Sequence, residues 1–222
     1  MSISLIKIIA CVSMLVDHIA LLLVDKGATA YIFMRTVGRL AFPLFAFALV
    51  EGFFHTSDLK KYFFRLGIFA VVAEASYDFA VYGFNRQSVE GLEIGVTLLM
   101  GLAAVAMYHH VMTKYITQPF VSNMFAGLVI ILFCVAAESL KVAYGMYGIL
   151  LIMCMYLFRG KKIVLSVALL LLPVLFSTEW QVFSVFSMIF IIMYNGEKGK
   201  NIKYLFYTFY TCHLVLLGLM TR

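Results

Sequence analysis

The sequence predicts an all-α protein, a single polytopic bundle of about nine transmembrane helices, and three observations carry that prediction. Hydrophobic residues make up 64% of the 222 positions and charged residues only 13%, a balance outside the range of water-soluble domains. The apolar stretches are unbroken and lack the alternation of a membrane barrel strand, so helices must satisfy the backbone in hydrocarbon. The Lys and Arg residues behind the formal charge of +6 are scattered through short connections and form no single stripe. Membrane orientation accounts for them, and nucleic acid is not an expected partner.

Along the chain the spans are expected at about residues 3–24, 36–54, 61–82, 93–112, 120–139, 143–158, 162–176, 180–194 and 203–220. The first has no basic leader ahead of it and carries Asp17 and His18, so it is expected to stay as a span. The second opens on Gly38-Arg39-Leu40-Ala41-Phe42-Pro43; the small residues favour close helix approach and Pro43 predicts a kink. In the third, Glu74 and Asp78 are four residues apart and share a face. The fourth and fifth end near His109, His110 and Lys114 and near Glu138, which read as interface and helix-end residues, as does His55. The sixth to eighth fall short of the roughly 20 residues a lone span needs. The ninth carries Tyr207, Tyr210 and His213 at three-residue spacing. With no internal repeat, residues 1–222 form one domain.

Basic residues sort by side. Lys60, Lys61, Arg65, Lys114, Arg159, Lys161, Lys162, Lys198, Lys200 and Lys203 fall on one side, and Lys26, Arg35, Arg86 and Lys141 on the other. The positive-inside rule then expects a multi-pass cell-membrane protein with a cytoplasmic N-terminus and, for nine spans, an external C-terminus; an even count would reverse the latter. Tyr31, Tyr62, Tyr82, Tyr115, Trp180 and Tyr204 lie near expected span ends, where amphipathic rings settle. Cys11, Cys134, Cys154 and Cys212 sit in apolar runs without ligand spacing, so they read as buried thiols and no metal is expected.

Ionisable side chains inside spans cost about 2.5–3.5 kcal/mol each at the helix centre, and so need a reason. Lys7 and His18 are eleven residues apart, nearly a whole number of turns, which puts them on one face about 16 Å apart. Lys7 is either a snorkelling anchor or a cavity-lining cation. The Asp17–His18 neighbours suit a general base with a carboxylate partner or a structural bond to another helix, though consecutive side chains leave the helix about 100° apart. Arg39 either snorkels or meets an anion in the bundle. Glu74 and Asp78 are candidates to neutralise Arg39, Arg65 or Lys7.

Several landmarks together resemble the TraX family of membrane proteins, named for acetylation of conjugative pilin. They are Leu5-Ile6-Lys7-Ile8-Ile9-Ala10 leading to Asp17-His18; Gly38-Arg39-Leu40-Ala41-Phe42-Pro43-Leu44-Phe45-Ala46-Phe47; Glu51-Gly52-Phe53, His55-Thr56 and Lys61-Tyr62 to Arg65-Leu66; and Tyr194-Asn195-Gly196 with Phe206-Tyr207 to His213-Leu214. The chain departs from the family pattern at Thr211-Cys212 and at Leu92-Glu93-Ile94-Gly95. The family is similar in turn to transmembrane acyltransferases whose first span carries a basic residue, ten intervening residues and a catalytic histidine, a spacing that Lys7 and His18 match.

The resemblance implies an enzyme that moves an acetyl group from cytoplasmic acetyl-CoA to an acceptor at the opposite face. The acceptor would be an exported peptide such as a pilin N-terminus, a glycan or a lipid. In that reading His18 is the general base, Asp17 its orienting partner, and Lys7 with Arg65 contacts the donor's anionic part. Arg39, Tyr210, His213 and Asp78 are candidates for oxyanion or acceptor contacts. Direct transfer and an acetyl-histidine intermediate both remain open, and no metal is called for. Two other classes fit the same residues: a proton-coupled small-solute transporter, and a non-enzymatic partner in envelope assembly.

Overall fold

The computed structural model describes residues 1–83, 91–176, 179–200 and 203–221, with side chains at all of these except 179–180 and 203–204. The expectations for Arg86, Trp180, Lys203 and Tyr204 therefore lie outside the described side chains. The helices are α1 (Ile3–Leu23), α2 (Thr29–Gly38), α3 (Ala41–His55), α4 (Leu59–Tyr82), α5 (Ile94–Lys114), α6 (Pro119–Ser139), α7 (Gly145–Leu157) and α8 (Lys162–Leu175). A 3₁₀ helix (Glu179–Phe186) then runs into α9 (Ser187–Ile192), and α10 (Lys203–Met220) closes the bundle.

Local chemistry sets several of these boundaries. Asp58 caps α4 by accepting the backbone N–H of Lys61 at 3.0 Å. Gly83, at φ 70° and ψ −148°, takes a positive-φ conformation open essentially to glycine alone, and α4 ends there. Pro119 begins α6, where its missing N–H leaves nothing unpaired. Pro43 lacks an N–H, and its ring opposes the carbonyl four residues back, that of Arg39. The chain breaks there, between Gly38 and Ala41, and so separates α2 from α3.

Two expected boundaries are corrected. The second span reaches back past residue 36 to Thr29, because Arg35, read from sequence as a connection residue, is neutralised inside the bundle by Asp17. The eighth is not one α-helix: its first part, Glu179–Phe186, winds as 3₁₀ helix.

The chain is a membrane protein. Ile3–Leu23, the apolar run Thr29–His55, Ile94–Lys114 and Pro119–Ser139 are each long and apolar enough to cross a bilayer, and shorter apolar helices accompany them. Phe120, Ile131 and Leu132 on α6, and Ile163, Val174 and Leu175 on α8, are exposed on the outside of the bundle, a surface that hydrocarbon accepts and water does not. Helix α7 is too short to span alone, and its buried Ile149, Leu151, Ile152, Met153 and Met155 place it at the core. Small residues allow the closest contacts: Gly95 lies against the Ala70 backbone, and Gly218 against that of Ala80.

Candidate active site between two end cavities

Two polar cavities open at opposite ends of the bundle. The first, about 720 Å³, is lined by His18 and Leu21 from α1, Arg35 and Gly38 from α2, and Arg39 from the break after it. Tyr77, Asp78 and Tyr82 from α4, Glu93, Glu138, Lys141, Gln181 and Tyr210 also line it. The second, about 530 Å³, is lined by Ser4 and Lys7 from α1, Glu51 and His55 from α3, Lys61 and Arg65 from α4, and Lys198, Gly199 and Lys200 before α10. A small apolar neck of about 80 Å³ lies between them. Met14, Ile94 and Tyr210 line both the neck and the first cavity, while Lys7, Ala48, Tyr62, Phe206 and Tyr207 line both the neck and the second.

His18 lines the first cavity and meets His213 behind that lining, His18 Nδ1 lying 2.7 Å from His213 Nε2. His213 Nδ1 lies 2.7 Å from the carbonyl oxygen of Phe209, one turn back on α10. The rings of Tyr77 and Tyr210 stand edge-on to His18 at 6.2 and 6.1 Å. The Tyr210 hydroxyl is buried and has no hydrogen-bond partner among the described residues.

Asp17 occupies a different place from the one expected. Its carboxylate accepts from Arg35 at 2.7 Å and from Arg39 at 2.6 Å, so it joins α1 to the α2–α3 break and is not the partner of His18. Consecutive side chains on a helix diverge, which explains the separation. Gly38 permits the contact, since a Cβ there would overlap the Asp17 carboxylate. One carboxylate between two guanidinium groups leaves this cluster one positive charge, set in a wall that also holds the carboxylates of Asp78, Glu93 and Glu138. Arg39, whose partner was open from sequence, is thereby assigned, and Arg35 is the wall residue that sequence reading missed. The four-residue spacing of the two arginines was the signal available.

Asp78 lines the first cavity beside Tyr77 and Tyr82. Glu74 turns instead to the entry of α5, where it accepts the backbone N–H of Glu93 at 2.8 Å.

At the other end Lys7 sits where neck and cavity join, its Nζ 5.5 Å from the centre of the Phe206 ring. Arg65 lies near Tyr62, with its Nε buried and unpartnered among the described residues. Lys198 and Lys200 were seen in sequence only as orientation charges, yet they line this cavity because residues 195–200 fold over the start of α1. Ser4 Oγ lies 2.7 and 2.6 Å from the carbonyl oxygens of Lys198 and Lys200, which share its single O–H, and Gly199, at φ 67°, makes the turn. Glu51 is held by Arg159 at 2.6 and 3.0 Å and by the Tyr194 hydroxyl at 3.0 Å, so it braces this end. His109 meets the Tyr156 hydroxyl at 2.8 Å, away from both cavities. No group of three or more His, Cys, Asp or Glu suited to a metal ion occurs among the described residues.

A family model described as TraX protein matches residues 2–221. A curated relative described as probable fimbrial assembly protein FimC, serogroup H1, from Dichelobacter nodosus is 30% identical over 197 residues, covering 86% of this chain and 77% of the relative. No solved structure matches the chain significantly.

Proposed function

The chain belongs to the TraX family, and from that premise we propose that it is a membrane acetyltransferase working from acetyl-CoA on one side of the membrane to an acceptor on the other. The observation that carries this reading is the pair of cavities joined by the apolar neck, one basic and the other lined by a histidine. Lys7, Lys61, Arg65, Lys198 and Lys200 suit the phosphates of the donor. A neck of about 80 Å³ suits a thin, flexible thioester arm and excludes the nucleotide.

Acetyl-CoA supplies an activated thioester carbonyl. His18 removes the proton from the attacking amine or hydroxyl as the new bond to the carbonyl carbon forms, and returns it to the departing sulfur as the carbon–sulfur bond breaks. The Tyr210 hydroxyl and the positive Arg35–Asp17–Arg39 cluster are suited to the developing oxyanion. The neck's apolar lining keeps water from the thioester.

Lys60, Lys61, Lys114, Arg159, Lys161, Lys162, Lys198 and Lys200 belong to the end that holds the basic cavity, against Lys26, Arg35 and Lys141 at the other. The positive-inside rule then puts the N-terminus and the donor cavity in the cytoplasm of a cell-membrane protein. The relative's description as a fimbrial assembly protein favours an exported peptide of the pilin type as acceptor; glycans and lipids are the alternatives.

The test is thiol release from acetyl-CoA by purified protein given an envelope fraction from cells lacking the gene, with mass spectrometry of that fraction for acetyl groups. Loss of both signals in His18→Ala supports the reading. Equal consumption by wild type and His18→Ala defeats it. A two-ended passage also suits a transporter, and solute movement across liposomes with no acetylated product would favour that instead.

A further inference from the structure

Histidine is the one side chain whose ring can be donor at either nitrogen, and the partner of one nitrogen decides the state of the other. His213 Nδ1 faces the Phe209 carbonyl oxygen at 2.7 Å. A carbonyl only accepts, so Nδ1 carries the hydrogen, and neutral His213 keeps its lone pair on Nε2. That Nε2 faces His18 Nδ1 at 2.7 Å, so His18 Nδ1 must donate. Neutral His18 is then left with its lone pair on Nε2. The ring centres are 5.0 Å apart, the separation of two imidazoles joined end to end through one N–H···N bond. His18 lines the larger cavity, whereas His213 is not among the residues lining it.

From this hydrogen-bond network we infer that His213 is the positioning residue of His18: it locks His18 in the Nδ1–H tautomer, so that Nε2 is the nitrogen able to act as base. The role rests on the acetyl-transfer reading above and deepens it. As the acceptor attacks, its proton passes to His18 Nε2, and the His18 Nδ1–H bond to His213 becomes charge-assisted and stronger. The proton stays on Nε2 until the departing sulfur takes it, and His213 itself neither gains nor loses one. This replaces the carboxylate that commonly orients a catalytic histidine, Asp17 being held by the two arginines.

Two substitutions of His213 separate positioning from packing. Gln places a carbonyl oxygen near the site of Nε2 and can still accept from His18, while Leu fills the space and accepts nothing. Selective ¹⁵N-histidine NMR of protein in nanodiscs, with the His18 signal assigned by its loss in His18→Gln, reads the tautomer directly. Wild type and His213→Gln should show His18 as Nδ1–H, and His213→Leu should shift it toward Nε2–H. With acetyl-CoA and the envelope fraction as probes, kcat for thiol release should fall about 100- to 10,000-fold in His213→Leu. KM for acetyl-CoA should hold, and His213→Gln should stay within about tenfold of wild type. An Nε2–H tautomer in wild type overturns the inference, as does a His213→Gln variant as impaired as His213→Leu. If wild type releases no thiol, the acetyl-transfer reading fails, while the NMR result still decides the tautomer.

Discussion

Replacing Asp17 with alanine removes the carboxylate shared by Arg35 and Arg39, which bind it at 2.7 and 2.6 Å. Breaking a buried ion pair by deleting one partner costs about 3–5 kcal/mol where the orphaned charge has no water. Here the side chains of Arg35 and Arg39 remain 24% and 12% exposed and line an open cavity, so we discount the cost to about 2–3 kcal/mol. For a chain of this size that lowers the apparent Tm by roughly 4–12 °C, measurable by thermal unfolding in detergent. The double variant Asp17→Ala/Arg39→Ala should be less damaged than the sum of the singles by more than about 1 kcal/mol, because it removes both members of one pair. The His18 tautomer should survive Asp17→Ala. Additivity of the singles to within about 0.5 kcal/mol, or loss of the His18 Nδ1–H signal in Asp17→Ala, would refute the assignment of Asp17 to the arginines.

Gly38→Ala should displace the Asp17 carboxylate, and so reproduce much of the Asp17→Ala shift in Tm despite the gain in helix propensity. Arg159→Ala leaves Glu51, 3% exposed, with the Tyr194 hydroxyl and the cavity it lines, and should cost about 2–3 kcal/mol. Glu51→Gln leaves Arg159, 41% exposed, free to meet water and should cost about 1–2 kcal/mol; paired unfolding curves test that order. Ala48→Phe puts a ring into the neck at an overpacking cost of about 1–3 kcal/mol. By excluding the thioester arm while the phosphates stay in the basic cavity, it should weaken acetyl-CoA binding in part and stop acetyl transfer altogether, read by binding and thiol-release assays in parallel. Asp58, in the connection before α4, has its carboxyl held below the usual carboxylate range by the backbone N–H and then the ammonium of Lys61. Its capping contribution is therefore complete above the ordinary carboxylate pKa and is lost as pH falls through the lowered one. The Lys61 amide resonance should titrate with that lowered midpoint and cease to do so in Asp58→Asn.

Spans were legible wherever apolar runs were long, because backbone satisfaction in lipid leaves helices little competition. The pattern misled where a charge was paired inside the bundle: Arg35 read as a connection residue, yet Asp17, eighteen positions earlier, neutralises it within the helices. It also misled at Glu179–Phe186, where composition says apolar but cannot say 3₁₀. His18 and His213 were each conspicuous as ionisable groups in apolar segments, yet their contact joins residues 195 positions apart. Spacing within one helix cannot reveal a contact between two. Adjacency instead suggested Asp17 as the partner of His18, although neighbouring side chains on a helix point different ways. Lys198 and Lys200 read as orientation charges because the fold-over that brings them above Ser4 is tertiary.

Acetyl transfer between two separate end cavities through His18 requires donor and acceptor to work from opposite sides of the membrane. Its most direct test is a sided vesicle assay, with protein of known orientation, acetyl-CoA sealed on the side of the basic cavity, and an envelope acceptor fraction supplied only on the other. Free thiol should appear with the donor and acetylated product with the acceptor, both lost in His18→Ala. Acetylated product formed only when donor and acceptor share one compartment would contradict it.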